Sequence, residues 1–165
     1  MAADRLTAQA QKQLGTLGDF LDCRRVRLYQ NASGVSGLVR QLVLGVSRNR
    51  AIALGNHVFL PDRCQGDVAV LAHELTHCGQ YQRWGPIKYF GTGAVTQLRH
   101  LLHQKLRIGS DPYDYTDEPL KPFDTYGMEQ QGQIVEDAFR GVPMAKAISP
   151  FKPGGVWGDQ AVPSA

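Results

Sequence analysis

The sequence predicts a single α+β domain with a small, mostly antiparallel sheet, and its order of elements leads to that class. Two strand-like segments, 25–30 and 51–60, come early in the chain, and helical patterns over 67–82, 94–107 and 127–139 follow them. Strands and helices that occupy separate stretches are typical of α+β proteins. The 165 residues, 42% hydrophobic and 20% charged, suffice for one packed core of ordinary composition.

The predicted domain spans residues 1–165, with a core over about 20–140 and a Pro/Gly-rich, irregular tail over 142–165. No apolar run is long enough to span a bilayer, and the first residues lack the apolar segment of a Sec signal peptide. Three cysteines are too few for a disulfide scaffold and predict a reducing compartment. We therefore expect a cytoplasmic protein without a membrane span, exported, if at all, by a route other than Sec.

The early elements are short. Leucines at helical spacing predict a first helix over 5–21, and Val26 and Leu28 face one way in a half-buried strand. Residues 37–44 fit either a short helix or a loop. Residues 51–60 fit either one bulged strand or two strands about a turn.

The later elements are mainly helical. Asp67 is a good N-cap for a helix running to about Gln82, whose apolar side carries five residues at helical spacing: Val68, Leu71, Ala72, Leu75 and Cys78. An amphipathic pattern over 94–107 predicts a helix packed on the surface of the domain. A proline-punctuated loop with four aspartates, 109–125, separates it from the last helix.

The motif His-Glu-Leu-Thr-His lies on the helix predicted over 67–82. Histidines four residues apart project from one helix face, so His73 and His77 can bind one Zn²⁺. Glu74, next to the first histidine, can act as general base on a water bound to the metal. Five His and four Glu in this chain would give about 0.004 such matches by chance. The sequence therefore predicts a zinc site.

A catalytic zinc has three protein ligands and one open position, so a third ligand must come from elsewhere. The candidates are the other carboxylates and histidines: Glu118, Glu129, Glu136, the loop aspartates, His57, His100 and His103. The last helix is the most persuasive source, since Glu129 and Glu136 lie along one of its faces. Spacing alone does not separate these two glutamates.

Several other polar residues have possible roles near the motif. Cys64 and Cys78 are expected to be small buried hydrophobes rather than ligands. Asp137 is a candidate for orienting a histidine by a hydrogen bond. Four tyrosines are candidates for stabilising an oxyanion, although packing is the expected role of each: Tyr81, Tyr113, Tyr115 and Tyr126.

Three stretches of the chain carry a family resemblance. The run AIALGNHVFLP, the run VLAHELTHCGQYQ and the segment from Glu129 to Asp137, EQQGQIVED, resemble the small HExxH metallopeptidase-like domain associated with contractile injection systems and polymorphic toxins. Within this group, the EQQ segment is similar to that of short, stand-alone, Vgr-related bacterial proteins. The resemblance covers roughly residues 20–140. The chain departs from the family pattern at Cys78-Gly79 and at Gly132, where a small alanine is usual; the glycine leaves room for close approach of another helix.

This resemblance implies a zincin-like fold, with strand 51–60 at the edge of a small sheet beside the cleft. It implies that His73 and His77 are metal ligands, that Glu74 is the catalytic base, and that Glu129 is the third ligand, as in the Glu-type zincins.

Two functions follow as expectations. The first is a zinc metallopeptidase that hydrolyses a peptide or protein substrate, paired as an extended strand with the sheet edge near residues 51–60. The second is a non-catalytic zinc-binding interaction module of a bacterial secretion or contractile injection apparatus. A nucleic-acid-binding protein is not expected, because the net charge is only +3 and the sequence contains no recognised nucleic-acid motif.

Overall fold

The computed structural model describes residues 3–30, 33–106, 111–116 and 120–154, with side chains of 99–102 and 104–106 left out. These residues form an α+β structure. Its helices and strands are α1 (Ala8–Leu14), β1 (Arg27–Tyr29), α2 (Gly34–Val46), β2 (Ile52–Leu54), β3 (His57–Phe59), α3 (Val68–Leu106), α4 (Met128–Phe139) and α5 (Pro143–Ile148). No helix among the described residues is both long and apolar enough to cross a membrane.

The sheet is mixed rather than mostly antiparallel. Its strand order is β1-β3-β2, and β3 pairs parallel with β1 and antiparallel with β2. The prediction was wrong for the pairing of β1. After α2 the chain enters β2, which runs opposite to β1, and the hairpin then reverses it into β3, which lies beside β1 and parallel to it. Residues 51–60 form two strands about a two-residue turn, which was one of the two predicted alternatives. This hairpin leaves β2 at the edge of the sheet.

The first predicted helix is shorter than 5–21, since α1 ends at Leu14 and a 3₁₀ turn continues over Gly15–Asp19. Its predicted inward leucines are nevertheless buried: Leu6, Leu14, Leu17 and Leu21. They share one core with β1, β3 and the inner side of α3, where Leu75 and Cys78 are inaccessible to solvent. The inner side of α3 therefore packs against this core.

Helix α3 begins where the sequence predicts and continues further. The Asp67 carboxylate accepts hydrogen bonds from the backbone N–H groups of Ala69 and Val70, at 3.0 and 3.1 Å, and so caps the helix. At Gly85 the backbone leaves the helical region, with φ 78° and ψ 167°, and Pro86 starts a second helical part. The element thus consists of two parts, 68–84 and 86–106.

The second part, 86–106, extends the helix predicted over 94–107 toward its N-terminus but is not packed as expected. Its apolar pattern consists of Val95, Leu98, Leu101, Leu102 and Leu106. Val95 and Leu98 are more than half exposed, and the side chains of the other three lie outside the described part. Tyr89 is the buried aromatic residue of this part, and it lies against Tyr81 of the first part. The amphipathic pattern predicted the helix correctly, but the two described residues of its apolar side are exposed and not packed against the protein.

The tail is not irregular from residue 142, because α5 follows at once and residues 149–154 fold back onto the N-terminal region. Phe151 is buried against Phe20, and the backbone N–H of Gly154 donates to the carbonyl of Gln13. Gly79, one of the two departures from the family pattern, also serves this contact, since a Cβ there would overlap the Phe20 ring. Residues 155–165 lie outside the described part.

Candidate metal centre

Two histidines of α3 and one glutamate of α4 converge in the interior. The Oε2 atom of Glu129 lies 3.3 Å from Nε2 of His77 and 3.7 Å from Nε2 of His73. All three ligand atoms lie within 4.8 Å of one another, and all three residues are buried. The geometry thus brings together the two motif histidines and Glu129 in an arrangement that could hold a metal ion.

The outer nitrogen of each histidine ring faces a hydrogen-bond acceptor. Nδ1 of His73 is 3.1 Å from Oε2 of Glu136, and Nδ1 of His77 is 2.8 Å from Oε1 of Gln80. A carboxylate and an amide oxygen only accept, so Nδ1 carries the proton in both rings. In the neutral imidazole, each Nε2 then has a lone pair directed toward the cluster.

These two acceptors are themselves held in place. Arg140 donates to Glu136 and to Asp67, each at 3.0 Å, which links α4 to the start of α3. The Gln80 amide donates to Oε1 of Gln131 at 2.9 Å and to the carbonyl of Met128 at 3.2 Å. Both ring orientations are therefore fixed from α4 by hydrogen bonds.

Close contact between α3 and α4 depends on Gly132. A Cβ at this position would lie 2.8 Å from Nε2 of His73 and 3.0 Å from two ring carbons. Such distances are too short for a carbon atom, so any side chain would displace the imidazole. The close approach expected from this departure from the family pattern is present, and the group that approaches is the His73 ring.

Glu74 is buried beside the cluster and, among the described residues, accepts no hydrogen bond. It is 6% exposed, and burial raises the pKa of its carboxyl group, while His73 and His77 oppose part of that rise. A buried carboxylate without donors is unusual, since such groups are normally paired. The carboxylate is thus available to accept a proton.

The three converging side chains form an ionic cluster. Burial opposes protonation of His73, but hydrogen bonds to Glu129 and Glu136 outweigh it and raise its pKa to about 10. Burial likewise opposes ionisation of Glu129, yet His77 and His73 hold the pKa of its carboxyl well below the ordinary range. In the absence of metal, two positive imidazoles and the negative carboxylates of Glu129 and Glu136 compensate one another here.

The remaining candidates for a third ligand lie elsewhere or cannot be assigned. Glu136 contacts the outer nitrogen of His73, so it orients the His73 ring and is not one of the three converging groups. His57 pairs with the hydroxyl of Tyr29 on the sheet. The described loop aspartates, Asp111, Asp114 and Asp124, are not in the cluster. Glu118, Asp117 and the side chain of His100 fall outside the described residues.

Asp137 does not orient a histidine as the sequence suggested. It accepts hydrogen bonds from the hydroxyl of Tyr115, at 2.7 Å, and from the amide of Gln133. The orienting carboxylate is the preceding residue, Glu136. Seven residues separate it from Glu129, two helical turns along the same face, and this spacing was visible in the sequence.

The predicted tyrosines have other partners, and a fifth tyrosine lies at the sheet edge. Tyr81 packs on Tyr89, Tyr113 lies beneath Arg50, and Tyr126 packs on Tyr115. The hydroxyl of Tyr89 donates to the carbonyl of Ala53 on β2 at 2.9 Å. Cys78 is a buried core residue and Cys64 is half-buried, and neither belongs to the group of three side chains that could hold a metal ion.

Comparison with known proteins gives two similarities. The eCIS core domain family matches residues 21–85, a range that includes His73, Glu74 and His77 but ends before α4. The type VI secretion system spike protein VgrG2b of Pseudomonas aeruginosa is 28% identical over 135 residues. That match covers 76% of this chain and only 12% of the spike protein. No solved structure matches the chain. Both similarities agree with the predicted resemblance to proteins associated with contractile injection and secretion systems.

Proposed function

We propose that this chain is a zinc-dependent metallopeptidase module of a bacterial secretion or contractile injection apparatus. The observation that carries the proposal is the convergence of His73 Nε2, His77 Nε2 and Glu129 Oε2 beside the buried Glu74 carboxylate, which accepts no hydrogen bond in the described part of the chain. The association with an apparatus is supported by the similarity to the eCIS core domain family and to the spike protein.

The donor set suits zinc. Two imidazole nitrogens and one carboxylate oxygen are ligands that zinc accepts, and both outer nitrogens have the acceptors usual for metal-bound histidines. Three protein ligands leave one coordination position, as in catalytic sites, whereas structural zinc sites are usually closed by four. His73, His77 and Glu129 would hold the ion.

The chain's own residues would then carry the proton transfers. A bound zinc ion would polarise the scissile carbonyl and make water a stronger nucleophile. Glu74 would accept the proton of the attacking water and later deliver it to the leaving amine. In the metal-free chain, burial raises the pKa of the Glu74 carboxyl group, which is the environment that general acid–base carboxyl groups have in enzymes.

A substrate would pair with β2, the edge strand. Leu54 and His57 flank the two-residue turn and form the hydrogen-bonded pair, so the N–H and carbonyl of Ala53 point away from β3. These are the groups that an extended peptide would use. In the structure the Tyr89 hydroxyl donates a hydrogen bond to the Ala53 carbonyl. A peptide that pairs with β2 would have to displace this hydroxyl.

One observation favours the second candidate function, a zinc-binding interaction module without turnover. His73, Glu74, His77 and Glu129 are each less than a tenth exposed, so this conformation gives a substrate little access to the cluster. A metal at this position would then tie α3 to α4 and stabilise the fold.

Two variants distinguish these functions. Glu74→Gln should keep about one zinc per chain and lose peptide cleavage by roughly two orders of magnitude or more. His77→Ala should lose the zinc itself, since one of three ligands is removed. Metal content is measured by elemental analysis and turnover with a broad peptide library. Zinc-loaded wild type that cleaves nothing would support the interaction module, and wild type that binds no zinc would contradict both functions.

A further inference from the structure

The second part of α3 presents a continuous apolar face to solvent. Six exposed residues there, five apolar and one glycine, fall within an arc of about 140° at about 100° per residue, and no polar residue lies between them. The four large side chains among them are between 49% and 90% exposed. We call these six residues the outer face: Ile87, Phe90, Gly91, Ala94, Val95 and Leu98.

The side of this helix that faces the protein is small and polar. Tyr89 is buried and donates its hydroxyl to the carbonyl of Ala53, while Thr92, Gly93 and Thr96 are half-buried. The usual arrangement of a surface helix, apolar side inward and polar side outward, is thus reversed. Within the described part of the chain, nothing covers the outer face, and a contiguous exposed apolar surface of this kind marks an interaction site.

The charge of this region is entirely positive. Residues 75–110 contain five Lys or Arg residues and no Asp or Glu. Lys88 is exposed at the border of the outer face, about 100° around the helix from Ile87. Its amino group lies 5.1 Å from the centre of the Trp84 ring, and it has no ion-pair partner among the described residues. The surface that covers the outer face should therefore be apolar and negatively charged.

We propose that the outer face binds an anionic lipid surface, with the helix parallel to the plane of the membrane. Its apolar side chains would enter the boundary between headgroups and acyl chains, and Lys88 would lie among the negatively charged headgroups. The contact uses residues outside the metal cluster, so this inference holds whether or not the chain is a peptidase.

The shape and composition of the outer face favour a lipid surface over a protein partner. Helices that lie in a lipid interface have wide apolar faces with bulky residues such as Phe90 and Leu98, whereas the seam of a helix pair is narrower. The opposite side of the helix already contacts the protein through Tyr89, so a partner's groove could not enclose it as grooves enclose amphipathic helices. A planar surface requires only the outer face.

Charge disfavours a second copy of the chain. Two outer faces packed on each other would bring together two segments that each contain five basic residues and no acidic residue. Like charges placed together oppose association. Anionic headgroups would instead compensate the basic residues, by an attraction that salt weakens.

The first experiment measures binding of the full chain to vesicles by co-sedimentation. One set of vesicles contains equal parts of phosphatidylglycerol and phosphatidylcholine, and the other contains phosphatidylcholine alone. The wild-type chain should bind the mixed vesicles at least about tenfold more strongly, and added salt should reduce this preference. No binding to the mixed vesicles, or equal binding to both sets, would overturn the proposal.

The second experiment locates the contact. Ile87→Ser with Leu98→Ser, and separately Lys88→Glu, should each weaken binding to the mixed vesicles by about tenfold or more. Val35→Ser with Leu42→Ser is the matched control, since these residues are 79% and 70% exposed on α2 and should leave binding unchanged. Because all five side chains are exposed, the variants should melt as wild type does. Undiminished binding by the Ile87/Leu98 variant, or an equal loss in the control, would refute the assigned face.

The other occupants would give different results. Sedimentation velocity without lipid should show no self-association that depends on Leu98, and Leu98-dependent dimerisation would replace the proposal with a second copy. A display library of helical peptides, in which exposed positions vary among Glu, Lys and Ser, tests a protein partner. A wild-type chain that ignores the mixed vesicles but selects Glu-rich peptides through Ile87 and Leu98 would assign the outer face to an acidic protein instead.

Discussion

The two parts of α3, on either side of Gly85, carry similar helical patterns in very different surroundings. In 68–84, every residue from Ala72 to Gln80 is buried, and the part packs against α4. In 86–106, Ile87, Val95 and Leu98 are more than half exposed. The two histidines of the candidate metal centre are on the part that is enclosed. Packing against α4 and the sheet, rather than the helix alone, fixes the positions of the histidines.

Truncating a leucine in each part should give the largest difference between them. Leu75→Ala removes a fully buried side chain and should lower the free energy of unfolding by about 2–5 kcal/mol. Leu98→Ala, at a position 57% exposed, should change it by no more than about 0.5 kcal/mol. Urea denaturation measures both. Similar losses in the two variants would mean that 86–106 is as well packed as 68–84.

A valine introduced at a glycine should act differently near the two parts. Gly132→Val places methyl groups against the His73 ring and should destabilise the fold by about 1–3 kcal/mol and weaken zinc binding. Gly91→Val, where a Cβ meets nothing within 4 Å, should stay within about 0.5 kcal/mol of wild type. Thermal melts and zinc titration report the two effects. Undiminished zinc affinity in Gly132→Val would show that the ring can move aside.

The stability of the fold should depend on pH differently in the metal-free protein and in the zinc-loaded protein. The pKa of His73 is raised to about 10, so its contribution to the metal-free fold is complete below its unfolded pKa of about 6.5 and declines as pH rises toward 10. Zinc must displace protons from the histidines, so its binding strengthens as pH rises.

The difference in Tm between zinc-loaded and chelator-treated protein should therefore be larger at about pH 8 than at about pH 6. Scanning calorimetry at both pH values provides the measurement, with His77→Ala as the control that should show no zinc-dependent difference. A gap that is constant or shrinks with pH would contradict protonation of the metal-free cluster.

The contact between 86–106 and the sheet edge should have the smallest effect. Tyr89→Phe removes the donor to the Ala53 carbonyl and should destabilise the fold by about 1 kcal/mol. Tyr81→Phe is the matched control, because the Tyr81 hydroxyl has no hydrogen bond among the described residues. Hydrogen exchange should also become faster in β2 of the Tyr89 variant. Unchanged exchange would indicate that the edge strand is held by other contacts.

The local parts of the site could be predicted from sequence, and the parts that depend on tertiary packing could not. His73 and His77 share a face because they are one turn apart on one helix. Choosing Glu129 over Glu136 required the crossing of α3 and α4, since both residues lie on the same side of α4. The resemblance to a family supplied Glu129, and the geometry then gave Glu136 its separate position at the outer nitrogen of His73.

Hydrophobic pattern predicted helices but not what they face. The pattern over 94–107 predicted a packed helix, although Leu98 is exposed. The period of residues 37–44 did not decide between a helix and a loop; they belong to α2, whose Leu38 and Leu42 are exposed. The direction of β1 was also beyond local pattern, since it depends on how α2 carries the chain across the sheet. A periodic pattern shows which side of a helix is apolar. It does not show whether that side is buried in the protein or left for a partner to cover.

Asp67 makes two sets of hydrogen bonds, and through them it is connected to the candidate metal centre without belonging to it. One oxygen caps α3, and the other binds Arg140, which holds Glu136 against His73. The cap of α3 and the His73 ring are therefore linked by one chain of contacts, with two side chains, Arg140 and Glu136, between Asp67 and His73. Substitutions along it should not be additive, and a residue that never touches the metal would share control of its affinity.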